Sequence, residues 1–176
     1  MNLKMHDSIY EPAEDSFLLK KHIKNYSFKT ALDVGCGSGI ITEELSKHGK
    51  VIGVDINPEA IKYCKENIDA EFFESDLFSN VKGKFDLITF NAPYLPQDEG
   101  IEDVALYGGE KGYETIEAFL KNAKKHLNKG GKILLIFTSF SQPEEIFRIM
   151  DKEGYVYEMV DKEHYFHEDI FLYELK

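Results

Sequence analysis

The chain is 176 residues long, 43% hydrophobic and 30% charged, which is the composition of a single soluble globular domain. It shows no apolar run approaching the roughly eighteen residues of a membrane helix, no secretory signal in MNLKMHDSIYEPAEDS, and only Cys36 and Cys64, too few for a disulfide framework or a zinc site, so the expected compartment is the reducing cytoplasm. A net charge of −11 with Arg148 as the only arginine opposes a polyanionic substrate, because nucleic-acid binding needs a positive footprint.

No repeat, low-complexity tract or Pro/Gly/Ser linker appears, so residues 1–176 are expected to form one domain. Glu11 to Ile23 reads as a helix, packed on the core within about residues 11–25. Pro12 and acidic residues stand in its first turn, and Phe17, Leu18 and Ile23 form an apolar stripe. From Ala31 the pattern alternates. A strand (ALDV) meets a glycine loop and a helix carrying Ile40, Ile41 and Leu45; a second strand (VIGVD) precedes a helix from Pro58 to Ile68. A third strand (AEFFES) and a fourth (FDLITFN) follow, then a helix from Tyr113 to Leu127 and a fifth strand (KILLIFT) after Gly130-Gly131. A helix from Pro143 to Lys152 leads to two tyrosine-rich runs, Tyr155 to Val160 and Ile170 to Leu175. Strands separated by helices predict right-handed crossovers and a parallel sheet covered on both faces. The last two runs have only a short polar link, so they are expected to pair antiparallel at one edge. Ligands in such sheets bind beyond the carboxyl ends of the strands.

Leu32-Asp33-Val34-Gly35-Cys36-Gly37-Ser38-Gly39 lies between the first strand and its helix. Glycines there permit positive φ and a close approach of backbone to ligand. The spacing is G-x-G-x-G, whereas dinucleotide enzymes show G-x-G-x-x-G. Asp33 precedes the loop, which suits a ligand ammonium group better than a pyrophosphate. Asp55 ends the second strand, where a carboxylate can accept both ribose hydroxyls, and Asp76 follows the third. Taken singly, each aspartate is more often a helix cap or a solvated loop residue; acids after strands one, two and three together are much more specific. Here the chain resembles the Rossmann-like methyltransferases that bind S-adenosylmethionine, an α/β fold with a mostly parallel seven-stranded sheet and an antiparallel C-terminal hairpin edge. The resemblance implies that Asp33, Gly35, Gly37 and Gly39 hold the methionine part of the cofactor. It gives the ribose to Asp55, and the adenine to Ile56, Asp76 and the Leu77 amide.

Phe90-Asn91-Ala92-Pro93-Tyr94-Leu95-Pro96 follows the fourth strand. Methyl transfer is an in-line displacement, so the accepting lone pair must be held and aimed. An amide nitrogen is a poor nucleophile because its lone pair is delocalised. Accepting hydrogen bonds from both of its N–H groups counters this, and the Asn91 side-chain oxygen and the residue-92 carbonyl are two such acceptors. Pro93 stiffens the turn, and Tyr94 offers a flat face for stacking. The motif is similar to the N-P-P-Y element of methyltransferases acting on glutamine amides and on exocyclic amino groups of adenine and guanine. It departs from that element at Ala92, where proline is usual. The resemblance implies catalytic roles for Asn91, Ala92, Pro93 and Tyr94, contact of Asn91 with the cofactor, and substrate contacts from Asn91, Tyr94 and Leu95.

Tyr10-Glu11-Pro12-Ala13-Glu14-Asp15-Ser16-Phe17-Leu18-Leu19 resembles the signature of the short archaeal and eukaryotic branch of HemK-related enzymes, which methylate the glutamine of the Gly-Gly-Gln loop in class 1 release factors. That resemblance implies cofactor contact by Ser16 and a substrate-facing Asp15, while the same acids also favour a helix N-terminus. Leu106 to Glu114 is similar to the glycine-rich segment of the same branch. Members of the branch commonly pair with a small zinc-binding activator through the edge of strand three. Glu71-Phe72-Phe73-Glu74 is placed to supply that edge, with one phenylalanine inward and one toward the partner, or with both covered within the monomer. The leading expectation is a glutamine N5-methyltransferase acting on a release factor. The alternatives are the same core acting on an amino group of DNA or RNA, a cofactor-binding subunit without catalysis, and a nicotinamide-dependent dehydrogenase.

Overall fold

The computed structural model describes residues 9–93 and 108–176. Its strands are β1 (Thr30–Val34), β2 (Lys50–Asp55), β3 (Glu71–Glu74), β4 (Phe85–Asn91), β5 (Leu127–Thr138), β6 (Tyr157–Tyr165) and β7 (Glu168–Leu175). The helices are α1 (Glu14–Ile23), α2 (Ile40–Ser46), α3 (Pro58–Asn67), α4 (Glu114–Ala123) and α5 (Pro143–Lys152). The seven strands form one sheet in the order β3-β2-β1-β4-β5-β7-β6. β1 to β5 are parallel, and β7 lies antiparallel between β5 and β6. The strand order reverses at β1 and β4, which opens a crevice at their carboxyl ends.

Alternation along the strands divides the core. Leu32 and Val34 of β1, with Ile133, Leu135 and Phe137 of β5, pack against Ile116, Phe119 and Leu120 of α4 and Ile146 and Met150 of α5. Ala31, Leu134 and Ile136 belong to a second cluster with Leu18, Leu19 and Ile23 of α1 and Ile41 and Leu45 of α2. Ile61 and Cys64 of α3 close on Phe72 and Cys36 in a third. α5 has the expected bounds because Pro143 pre-sets the helical φ of its first turn.

Several boundaries differ from the sequence expectation. α1 begins at Glu14, since Ala13 is still extended and Pro12 precedes the helix. α4 gives way to a 3-10 turn over Lys124–His126 before β5. β5 starts at Leu127, because the register with β4 passes from Phe85↔Leu127 to Leu87↔Lys132 and Asn128 to Gly131 bulge from the ladder. The final hairpin runs through Tyr165 and Glu168, so the segment expected to be a polar link is itself paired strand. β3 is an edge strand; Phe72 is buried against α3, and Phe73 is half-buried against the larger cluster. Among the described residues no helix is long and apolar enough to cross a membrane.

Candidate active site

Gly35, Gly37 and Gly39 all take positive φ, +65, +51 and +80. Gly39 is the N-cap of α2, and a Cβ there would collide with Cys64 and Ile68, so both conformation and space require glycine. The Cys64 thiol donates to the Gly37 carbonyl at 3.4 Å. The Cys36 thiol is held protonated by neighbouring Cys64 and by burial, so it is not a nucleophile.

Asp33 is only 2% exposed. One carboxylate oxygen accepts the Thr42 hydroxyl at 2.6 Å and the other the Thr89 hydroxyl at 2.8 Å, which ties β1, α2 and β4 together beneath the loop. Burial pushes its pKa up to about 6, and the charge of Asp55 adds to the rise that the two hydroxyls oppose. Sequence reasoning set Asp33 beside a ligand ammonium; the structure joins it to two threonines. Asp55 accepts the Gly37 amide at 2.8 Å and the Asn57 amide at 2.9 Å, so the end of β2 anchors the glycine loop. Burial raises its pKa, against those amide bonds. Next to it Ile56 is 47% exposed at the sheet's carboxyl edge.

Asp76 is exposed after β3, and its amide donates to the Ser79 hydroxyl at 3.1 Å. Leu77 has φ +46, a strained conformation for a residue with a Cβ. Buried Ser75 holds this turn: its hydroxyl donates to the Leu77 carbonyl at 2.9 Å and accepts the Asn80 amide at 3.0 Å.

Asn91 ends β4. Its side-chain nitrogen reaches the Ser16 hydroxyl of α1 at 3.4 Å, while its side-chain oxygen is buried without a hydrogen-bond partner among the described residues. Ser16 and Asp15 are buried too, and Asp15 accepts the Tyr10 hydroxyl at 2.9 Å. The Ala92 methyl is buried in the larger core cluster, and its amide donates to Ile136 at 3.4 Å. Gly108 packs against the carbonyls of Pro93 and Gly112, leaving no room for a Cβ. The glycine-rich segment therefore closes on the Asn91 loop, with Glu114 accepting the Lys111 and Tyr113 amides. Tyr94 and Leu95, and Leu106 and Tyr107 of that segment, lie outside the described residues.

Sequence reasoning assigned nothing to Thr42, Thr89, Ser75 or Glu168. Thr89 carried a signal, a hydroxyl within the apolar run of β4. Glu168 carried none: the hairpin brings it to the same end of the sheet, where one of its oxygens is buried without a partner among the described residues. Burial raises its pKa, and the charges of Asp15 and Glu14 add to the rise.

Residues 11–167 match the family model described as the methyltransferase small domain. The chain belongs to the methyltransferase small domain family. This methyltransferase is 41% identical over 171 residues to a Methanocaldococcus jannaschii protein provisionally named a protein N5-glutamine methyltransferase, covering 90% of this chain and 87% of that one. It is 32% identical over 169 residues to the Mus musculus methyltransferase HEMK2, covering 83% and 79% of the two chains, which makes it a HemK-related methyltransferase. In structure it is similar to a chain of the E. cuniculi Mtq2-Trm112 complex, responsible for methylation of the eRF1 translation termination factor. The TM-score is 0.80 at 25% identity, with 96% of this chain and 98% of that one covered.

Proposed function

We propose that the chain uses S-adenosylmethionine to methylate the N5 nitrogen of the glutamine in the Gly-Gly-Gln loop of a class 1 translation release factor, in the cytoplasm. The observation that carries this reading is the side-chain oxygen of Asn91 at the carboxyl end of β4, buried without a hydrogen-bond partner among the described residues. An unpaired buried carbonyl oxygen costs on the order of 1–3 kcal/mol, and the N–H of a planar amide removes that cost. The names of the M. jannaschii relative and of the E. cuniculi complex support glutamine and a termination factor as substrate.

The residues fit the cofactor. Gly35, Gly37 and Gly39, with Asp33 supporting their loop, receive its methionine part. A carboxylate has about four acceptor directions, so Asp55 keeps capacity for ribose hydroxyls after binding the Gly37 and Asn57 amides. The exposed face of Ile56 and the strained Leu77 amide, with Asp76, receive the adenine. When bound, the cofactor supplies an electrophilic methyl group on a sulfonium sulfur. The chain's own part is orientation. Asn91 accepts one N–H of the glutamine amide, the Ala92 carbonyl accepts the other, Pro93 stiffens the turn and Tyr94 stacks on the amide plane. These bonds hold electron density on the nitrogen and aim its lone pair. One amide proton then leaves to solvent, so no strong base is required. Asp15 and Leu95 face the substrate side, and a small zinc-binding activator adds a strand beside Phe72 and Phe73 on the β3 edge.

Mass spectrometry of a release-factor peptide containing Gly-Gly-Gln tests this, after incubation with the chain and methyl donor, with and without a candidate activator. A gain of one methyl on the glutamine is expected. Transfer to DNA or RNA with none to the peptide refutes it.

A further inference from the structure

Asn91 acts only if its oxygen, not its nitrogen, faces the substrate, and the surrounding side chains determine which. Asp15 is 2% and Ser16 3% exposed. One Asp15 oxygen accepts the Tyr10 hydroxyl at 2.9 Å, and the other accepts the Ser16 amide at 2.5 Å and the Ser16 hydroxyl at 3.2 Å. A serine hydroxyl has one proton, and here it points at Asp15. What Ser16 turns toward Asn91 is therefore a lone pair, and the Asn91 side-chain nitrogen stands 3.4 Å away. With the amide reversed, the Asn91 oxygen would face the Ser16 oxygen with no proton between them, in a buried site where that mismatch is expensive. At 3.4 Å the contact is at the long end of hydrogen-bond range, so it works through polarity more than strength.

We propose that Asp15 and Ser16 are positioning residues that polarise a chain of hydrogen bonds from Tyr10 to Asn91 and so hold the Asn91 carbonyl toward the substrate amide. This rests on the proposed function and deepens it: beyond the contacts with cofactor and substrate that the resemblance gives them, the two residues serve the reaction through Asn91. Both lie in the first turn of α1, so the helix that covers one face of the sheet also sets the polarity of the residue ending β4.

The test uses the full chain with Asp15→Asn, Ser16→Ala, Ser16→Thr and Asn91→Ala. Asp15→Asn keeps size but brings an N–H that Ser16 can accept, which frees the serine proton for Asn91 and permits the reversed amide. The expected result is a fall in kcat, measured at saturating substrate and methyl donor, of roughly ten- to a hundred-fold in Asp15→Asn and Ser16→Ala. Ser16→Thr, which keeps the hydroxyl, restores the rate. In NMR the Asn91 side-chain amide resonances, identified by their loss in Asn91→Ala, shift in Asp15→Asn and Ser16→Ala but not in Ser16→Thr. Weakened S-adenosylhomocysteine binding by Ser16→Ala with unchanged saturated rate overturns the proposal and leaves Ser16 a cofactor contact alone. An inactive Asn91→Ala beside fully active Asp15→Asn and Ser16→Ala overturns the relay alone, whereas an active Asn91→Ala refutes the proposed function instead. The NMR arm requires no substrate, so it decides on the relay even where no turnover is seen, and Asp15→Asn and Ser16→Thr carry it should Ser16→Ala not fold.

Discussion

Replacing Asp33 with asparagine isolates the cost of keeping a charge under the glycine loop. The carboxyl is buried, and its pKa stands near 6 instead of the ordinary 3.8. At about 1.4 kcal/mol per pH unit, that difference corresponds to about 3 kcal/mol of native-state penalty for ionisation. The sign follows from proton uptake. Between pH 3.8 and about 6 the folded chain binds more protons at this site than the unfolded one. This group's contribution is therefore fully present below the unfolded value and lost as pH rises through about 6. Asparagine keeps the size, accepts one threonine hydroxyl and donates to the other, and the Thr89 hydroxyl has the Leu32 carbonyl 3.4 Å away as a second acceptor. Urea unfolding at a series of pH values from 4 to 8 should show Asp33→Asn equal to or more stable than the parent above pH 7, by up to about 3 kcal/mol, with the advantage shrinking toward pH 4. A variant weaker than the parent by the same amount at every pH refutes the reasoning, because the two hydroxyl bonds would then outweigh the desolvation.

Gly108→Ala forces a methyl against the Pro93 and Gly112 carbonyls, so a loss of about 1–3 kcal/mol in thermal unfolding and a parallel fall in methyl transfer are expected; unchanged values would show that the 108–112 segment yields freely. Asp161 joins β6 to α1 through His22 at 2.7 Å, and that contact, aided by the Lys162 backbone amide and the Lys21 side chain, lowers its pKa to about 2. Its contribution is present above pH 3.8 and lost as pH falls toward about 2. Because the pair is partly exposed, Asp161→Asn should cost only about 0.5–1 kcal/mol at pH 7, read from urea midpoints, and nothing near pH 2. Glu168 has its pKa raised by burial and by Asp15 and Glu14, against a hydrogen bond with Thr138, so Glu168→Gln should raise the melting temperature at pH 7, with the gain fading as pH falls toward 4.5; a lowered melting temperature at pH 7 would show that the Thr138 bond outweighs the burial.

Much of this molecule was legible along the chain. Strand and helix follow from apolar period and from Pro and Gly positions, which act within a few residues, so α5 and β4 fall where the sequence puts them. The expected sheet class and its antiparallel edge hold for the same reason. The extent of the final hairpin was not legible, because Asp161 to Tyr165 and Glu168 to Asp169 become strand only through pairing across the turn. The same limit applies in the site. Gly39 and Asn91 announce themselves by residue type and place, but the partners of Asp33 lie nine and 56 positions away.

What the sequence alone determined is therefore the set of reactive groups and the sheet ends that carry them, since both depend on local backbone preference. What only the tertiary structure decided is how those groups are paired. Ser16 meets Asn91 across 75 residues, and Gly108 packs on the Pro93 carbonyl. Hydrogen-bond polarity and burial are properties of neighbours in space, and no period or motif in one chain encodes which neighbours those are.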